Sequence, residues 1–346
     1  SQSNWQRHCK EGDQVSAKLP SQLKRFADRA LLSQIESNLE LVEAELLAAT
    51  KHTDPVLQNA ARHLVEAGGK RVRPVLVLLT SLLGDGATQR VIDAAAIVEL
   101  THLATLYHDD VMDDAPTRRG VPTAQHVYSN SIAILIGDLL LARASILSTQ
   151  LGIEAITMQA NTFERLCIGQ LNETVEVGEN EDPIEHYIQV LADKTGSLIS
   201  ASAKLGVMMS NAPHEYLEPL AEFGEKIGVA FQLIDDVIDI SEAGPSGKTP
   251  GTDLRAGVPT MPVLLLRKRT DAVAQALLAE IDGDLSSDER LAEVVAKLRE
   301  HEVADEAYAE AKRWADEAIA ALGPLPDGQT KRALIHFAQA VVDRDN

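Results

Sequence analysis

Apolar positions recur at intervals of three and four along almost the whole chain, and alternating strand patterns are scarce. From about Leu23 to Ala49, Leu, Ile and Ala stand at helical spacing between Glu and Gln residues, until Pro55 interrupts. A second helix runs to Ala67 and stops at Gly68-Gly69. Pro74 opens an apolar helix through Leu83, closed by Asp85-Gly86, and another helix begins near Gln89. Thr117–Thr123 is a loop, and Asn130–Ser148 is an apolar helix interrupted at Gly137-Asp138. The same periodicity predicts helices over 153–177, 183–209, 215–241, 259–282, 287–300, 302–322 and 328–343. Asp182-Pro183 and Ala212-Pro213 read as helix entries. Residues 1–20 are polar and unpatterned, so a mobile leader over 1–22 precedes one domain over 23–346. The expected fold is all-α, a single-domain helical bundle around a central cavity.

The helix from Gln89 carries the first candidate chemistry. It is apolar up to Tyr107 and then places Asp109, Asp110, Asp113 and Asp114 within six positions. Asp109 and Asp113 are four apart, as are Asp110 and Asp114, so each pair shares a helix face about 6 Å apart along the axis. Like charges at that spacing destabilise a helix and call for a compensating partner. Oxygen ligands of this kind suit Mg²⁺, which is usually held by one or two carboxylates plus substrate phosphates. A solvated acidic helix end would look the same. The second copy changes the balance: Asp235, Asp236 and Asp239 repeat the spacing inside another apolar helix, after Phe231-Gln232. Charges are rarely buried unless paired or metal-bound. Two such clusters facing one cavity can hold several Mg²⁺ ions around a polyphosphate.

Composition sharpens this picture. The 346 residues carry 32 basic and 52 acidic side chains, a formal charge of −20, which argues against nucleic acid or an anionic membrane surface as the main partner. Against that background the basic residues at 70–73 and 118–119 mark anion sites. Cys9 and Cys167 form no disulfide framework and fit a reducing cytoplasm. No apolar run reaches membrane-spanning length, so no transmembrane segment is expected. No Ser-His-Asp or Cys-His signature stands out.

Three motifs together resemble trans-polyprenyl diphosphate synthases. They are the first Asp cluster followed by Arg118-Arg119-Gly120, the second as Phe231-Gln232-x-x-Asp235-Asp236-x-x-Asp239, and Gly68-Gly69-Lys70-Arg71-Val72-Arg73-Pro74 upstream. The resemblance runs from about residue 30 to the C-terminus. It implies the isoprenoid synthase fold and an Mg²⁺-dependent prenyltransferase with three ions per active site. The implied reaction condenses an allylic diphosphate with successive isopentenyl diphosphates, head to tail and in trans. The product would be a long-chain polyprenyl diphosphate for a respiratory quinone, made by a cytoplasmic homodimer.

By the same resemblance, Asp109, Asp113 and Asp235 are metal ligands and catalytic groups, helped by Asp110, Asp236 and Asp239. Lys70, Arg73, His102 and Arg119 hold isopentenyl diphosphate, and Arg118 holds the allylic diphosphate. His102 lies seven residues before Asp109, two turns up one face, and His108 is structural. Lys194, otherwise an ordinary exposed lysine, is expected to act with Thr195 and Gln232 at the allylic site, where a main-chain kink at Gly196 exposes a carbonyl. The Gly/Pro-rich stretch after Asp239 would be a lid carrying Lys248. One departure is that Asp253-Leu-Arg-Ala-Gly257 is followed by Val258, where the family often has Lys; either Arg255 substitutes or the contact is absent.

Small residues at Ala104 and Thr105, with Val98 and Thr101 beyond, leave room for a growing tail; they could equally serve close helix packing. Met208 and Met209 are candidates for the far end. The competing assignments are a short-chain farnesyl or geranylgeranyl synthase, one subunit of a heteromeric synthase, a terpene cyclase, and a cation buffer. A cyclase typically has a mixed second metal motif and needs no second diphosphate site; a buffer leaves the basic clusters unexplained.

Overall fold

The computed structural model describes residues 28–175, 177–241 and 250–343. The leader expected over 1–22 and the lid residue Lys248 lie outside the described residues. Helix α1 (Arg29–Ala49) begins where the Asp28 carboxylate accepts from the Ala30 N–H at 3.1 Å. Asp54 caps α2 (Pro55–Glu66) in the same way, with proline in the first turn. Then come α3 (Val72–Ser81) and α4 (Gln89–Met112), the longest described helix.

Helix α4 is enclosed on nearly every side. Val91, Ala95, Leu100 and Leu103 are fully buried, and α1, α3, α6 (Asn130–Leu151) and α9 (Ser197–Met209) pack around it. Tyr107 is buried with its hydroxyl satisfied, donating to Ala60 O at 2.6 Å and accepting from Leu64 N–H at 3.2 Å. Between α4 and α6 lie a two-residue hairpin, β1 (Thr117–Arg118) with β2 (Val121–Pro122), and the short α5 (Ala124–Val127). Next come α7 (Ile153–Thr174) and α8 (Pro183–Leu191), whose N-cap Asp182 accepts from Ile184 N–H at 2.8 Å. A π turn (Ala192–Gly196) joins α8 to α9, and α10 (Leu217–Asp239) packs against α9 and α15 (Glu302–Ala321). A second, smaller apolar cluster gathers Leu254 of α11 (Thr252–Arg255), Leu266 of α12 (Met261–Arg267), Leu277 of α13 (Ala272–Ile281) and Leu298 of α14 (Asp288–Glu300). Helix α16 (Gln329–Val342) closes on the main core through Leu334 and Phe337. The architecture is all-α, as expected.

Several boundaries differ from the sequence expectations. Residues 183–209 are two helices divided by the π turn, near the kink placed at Gly196. Residues 259–282 are also two helices, because the Asp271 carboxylate starts a new one by accepting from Val273 and Ala274 N–H at 3.1 and 3.0 Å. Gly137-Asp138 does not interrupt α6; Gly137 is small because the His108 ring lies where its Cβ would be, 2.3 Å from Nε2. By length and composition α6 is then long and apolar enough to cross a membrane, contrary to expectation, although one face packs along α4 and only a third of its most apolar stretch is buried. Pro74 stands at the third position of α3 rather than opening it.

Candidate active site

The C-terminal half of α4 exposes one face. His102, Thr105 and Asp109 are half-buried along it, while Val98, Thr101 and Ala104 are enclosed at 1% exposure or less. Thr105 therefore borders the open side, while Ala104, Val98 and Thr101 are packed within the helix bundle. Met209 is buried in the main core, and Met208 lines a separate groove of about 470 Å³ between α7 and α9.

The two aspartate pairs of α4 part company. The helix ends at Met112, so Asp113 is its C-cap, with N–H bonded to Asp109 O at 2.8 Å. Asp113 still lies close enough to Asp109 to disfavour its charge. Burial first, and then Asp113, raise the Asp109 carboxyl to about 6, against the opposing pull of Lys194 across the cavity. Asp114 instead takes a left-handed φ of 47° and swings away, so the expected Asp110–Asp114 pairing on one face does not form. Asp110 is 1% exposed and accepts from Arg118 Nε at 2.8 Å. Gln125 fixes this helix end by donating to Asp110 O at 2.6 Å and Ala115 O at 3.1 Å.

The basic residues come together through strained backbone. In β1–β2, Arg119 and Gly120 both have positive φ, 54° and 79°, as a two-residue type I′ turn requires. This turn sends Arg119 onto the Gly68-Gly69 bend, where its Nη1 bonds Leu64 O at 3.0 Å and also Gly68 O. A Cβ on Gly69 would lie 2.9 Å from the Arg119 Cζ, which accounts for the second glycine. Arg71, at φ 46°, turns inward and is buried between Glu43 and Glu99, at 2.5 and 2.9 Å. Arg73, two residues on, keeps a buried Nε without a hydrogen-bond partner among the described residues. Burial lowers the Arg73 guanidinium to about 10, with Glu99 opposing and Arg119 adding to the fall. His102 sits among these arginines, and burial together with Arg73, Arg119, Arg71 and Arg118 holds it neutral, well below the ordinary imidazole range. Lys70 is exposed beside them.

Opposite α4, Lys194 and Thr195 are half-buried on the π turn, and Lys194 Nζ donates to Glu173 Oε2 of α7 at 2.6 Å. On α10, Gln232, Asp235 and Asp239 are half-buried on one face, whereas Asp236 is 6% exposed. Asp236 Oδ2 accepts from Tyr187 Oη at 2.8 Å and from Met261 N–H at 2.9 Å. Burial raises its carboxyl to about 7 against those two bonds. Asp239 accepts from Thr252 and Asp253 N–H, both at 3.2 Å, and so starts α11. Arg255 pairs with Asp288 at 2.5 Å. His108 bonds Ile134 O at 3.0 Å, the packing role expected of it.

Among the described residues, no three carboxylate or imidazole groups gather closely enough to hold a cation unaided. Mg²⁺ does not require such a cage, because phosphate oxygens and water complete its shell. The hard-oxygen donors fit it, and the crowded, desolvated Asp109 carboxyl is the kind of group a cation would relieve. Sequence reasoning missed Arg71, Glu43, Tyr187, Glu173 and Gln125. Arg71 sat in plain view within a basic motif, but only the left-handed turn sends it inward; Tyr187 and Glu173 carried no local signal.

The polyprenyl synthetase family pattern matches residues 54–298. The chain is 41% identical to the nonaprenyl diphosphate synthase of Mycobacterium tuberculosis over 92% of this chain and 96% of that protein. It is 34% identical to heptaprenyl diphosphate synthase component 2 of Geobacillus stearothermophilus, over 92% and 99%. A crystal structure of geranylgeranyl pyrophosphate synthase from Corynebacterium glutamicum, complexed with calcium and isoprenyl diphosphate, superposes with a TM-score of 0.83 at 41% identity, covering 92% of this chain and 98% of that one. With two aspartate clusters and a group of arginines around His102, this chain belongs to the polyprenyl synthetase family and is a prenyltransferase of the all-α isoprenoid synthase fold.

Proposed function

We propose that this chain condenses an allylic diphosphate with successive isopentenyl diphosphates, in trans, to a long-chain polyprenyl diphosphate. The observation that carries the reading is that α4 presents two sites on one accessible face: neutral His102 among Arg73 and Arg119, and Asp109 with Asp113 about 10 Å further along the axis. The first suits the diphosphate of isopentenyl diphosphate, with Lys70 at its rim. The second, with Asp235 and supporting Asp110, Asp236 and Asp239, suits three Mg²⁺ ions around the allylic diphosphate, which Arg118, Lys194, Thr195, Gln232 and Lys248 would also contact.

The hard step is breaking the allylic carbon–oxygen bond to leave a cation beside a polyanion. The metal supplies charge neutralisation for the departing diphosphate. Lys194 and Arg118 add fixed positive charge at the same leaving group, and no protein nucleophile is needed. The neutral imidazole of His102 can donate one hydrogen bond to a phosphate oxygen without competing for the arginines' charge.

The exposed apolar side chains of α6 and α7, among them Leu135 at 63%, Ile146 at 54%, Ile153 at 74% and Leu171 at 64%, support pairing with a second copy as a homodimer. The name of the Geobacillus relative, a component, makes a different second chain the alternative. Two cysteines in 346 residues support a reducing cytoplasm, and a quinone side chain is the proposed use of the product.

Turnover of isopentenyl diphosphate with farnesyl diphosphate, with and without Mg²⁺, tests the reading. Condensation that disappears with chelator and returns with Mg²⁺ is the expected result; hydrolysis or cyclisation of the primer alone would reject it. Size-exclusion chromatography with light scattering tests the dimer.

A further inference from the structure

The π turn between α8 and α9 is held from both sides. Its closing bond runs from Ser197 N–H to Ala192 O, five residues apart, and such turns are short and uncommon inside helices. Three glycines let neighbouring backbones close on it. A Cβ on Gly169 of α7 would lie 2.8 Å from Lys194 N, one on Gly228 of α10 would lie 2.6 Å from Gly196 Cα, and one on Gly196 would lie 2.9 Å from Glu225 O. Polar contacts complete the grip. Arg165 of α7 donates through Nε to Asp193 Oδ1 and through Nη1 to Glu225 Oε2 of α10, both at 2.7 Å. Gln189 Nε2 donates to the other Asp193 oxygen at 2.9 Å, and Ser197 Oγ donates to Asp193 O at 2.6 Å. Asp193 is 5% exposed, while its neighbours Lys194 and Thr195 are half-buried and Lys194 lies near enough to Asp109 to act on its charge.

We propose that Arg165, by clamping Asp193 to Glu225, is a positioning residue that holds the π turn and thereby aims Lys194 and Thr195 at the allylic diphosphate. A π turn carries one residue more than the α-helix it interrupts. If the clamp is removed, the extra residue is no longer held at 192–196, and the side chains within the turn, Lys194 among them, lose their fixed direction toward Asp109. Backbone in a sparsely populated state persists only where the surroundings over-determine it, and Arg165 joins the turn to both α7 and α10. The inference rests on the reading of Lys194 and Thr195 as allylic-site residues.

The test compares Arg165→Ala, Arg165→Lys and Lys194→Ala by steady-state kinetics for each substrate, and by amide exchange over residues 192–197. Loss of charge-assisted hydrogen bonds at this site predicts a fall in kcat of roughly tenfold for Arg165→Ala. Its KM for the allylic primer rises, its KM for isopentenyl diphosphate stays near native, and exchange quickens over 192–197 but not over α4. Arg165→Lys, able to reach Asp193, recovers part of the loss. Faster exchange with native kinetics, or equal damage to both substrates, would overturn the clamp. Should Arg165→Ala fail to fold, Glu225→Gln replaces it, because Glu225 is half-exposed and its loss leaves the Arg165–Asp193 pair in place; the same substrate split is expected, smaller in size. Native turnover in Lys194→Ala would instead reject the allylic-site reading itself, whereas a crippled Lys194→Ala beside a native Arg165→Ala would reject only the clamp.

Discussion

Arg118 closes on Asp110 through Nε at 2.8 Å, while the adjacent Asp109 faces Lys194 across the cavity. Consecutive aspartates thus stand in different surroundings: Asp110 ties α4 to the arginine hairpin, and Asp109 is half-buried near Lys194. Asp109→Asn is predicted to cut kcat by orders of magnitude with thermal stability unchanged or raised, since it removes a desolvated charge. Asp110→Asn should lower stability by about 2 kcal/mol, because it weakens a charge-assisted bond whose Arg118 partner is partly exposed. Thermal melts beside kinetics decide this; equal kinetic and thermal effects from both variants would contradict it.

Within the motif at 68–74, Arg71 and Arg73 are predicted to separate stability from binding. Arg71 is buried between two glutamates, so Arg71→Ala leaves them uncompensated and should cost about 3–5 kcal/mol in urea denaturation. Arg73→Ala should spare stability and raise KM for isopentenyl diphosphate more than for the allylic primer. A large stability loss at Arg73, or none at Arg71, would reverse the assignment.

His102 makes a pH prediction whose sign follows from its surroundings. Burial and four nearby arginines depress its folded pKa well below the ordinary value, so below about pH 6.5 the unfolded chain binds the proton that the folded chain refuses. The stability associated with His102 is intact above that pH and is lost as pH falls toward the folded pKa. His102→Gln should flatten this part of the pH–stability curve. Adding inorganic diphosphate, which neutralises the arginines, should raise the His102 pKa in an NMR titration. No movement on adding the anion would count against an anion site there.

Product length is predicted to respond to Thr105 and not simply to Ala104. Thr105 borders the open face and bonds His102 O at 2.8 Å, so a phenylalanine there enters the space a tail would use and shortens the product. Ala104 is fully buried, and Ala104→Phe should overpack the core at a cost of about 1–3 kcal/mol. Chromatography of dephosphorylated products beside thermal melts separates the two effects.

Much of this was legible in the sequence because helical periodicity and paired motifs are local signals. Arg118, Arg119 and the Gly68–Pro74 stretch gather around α4, and the kink expected at Gly196 is the π turn. What escaped depends on backbone sign and on distant partners. Arg71, Asp114 and Arg119 adopt left-handed φ, which no motif announces, and this sends one arginine inward, one aspartate outward and one arginine onto a glycine bend. The helix break at Asp271 needed a cap competing with an apolar run. Ala104 lies on a helix enclosed by α6 and α9, far away in sequence.

Repeated condensation at one metal-dependent site leaves its record in product length. Labelled isopentenyl diphosphate, farnesyl diphosphate and Mg²⁺ are incubated with the enzyme, and the dephosphorylated products are sized by chromatography. The expected result is a ladder of intermediates leading to a long polyprenyl chain, with no product in the presence of chelator. An enzyme that stops at farnesyl or geranylgeranyl length, or one that extends the primer without a divalent cation, would contradict it.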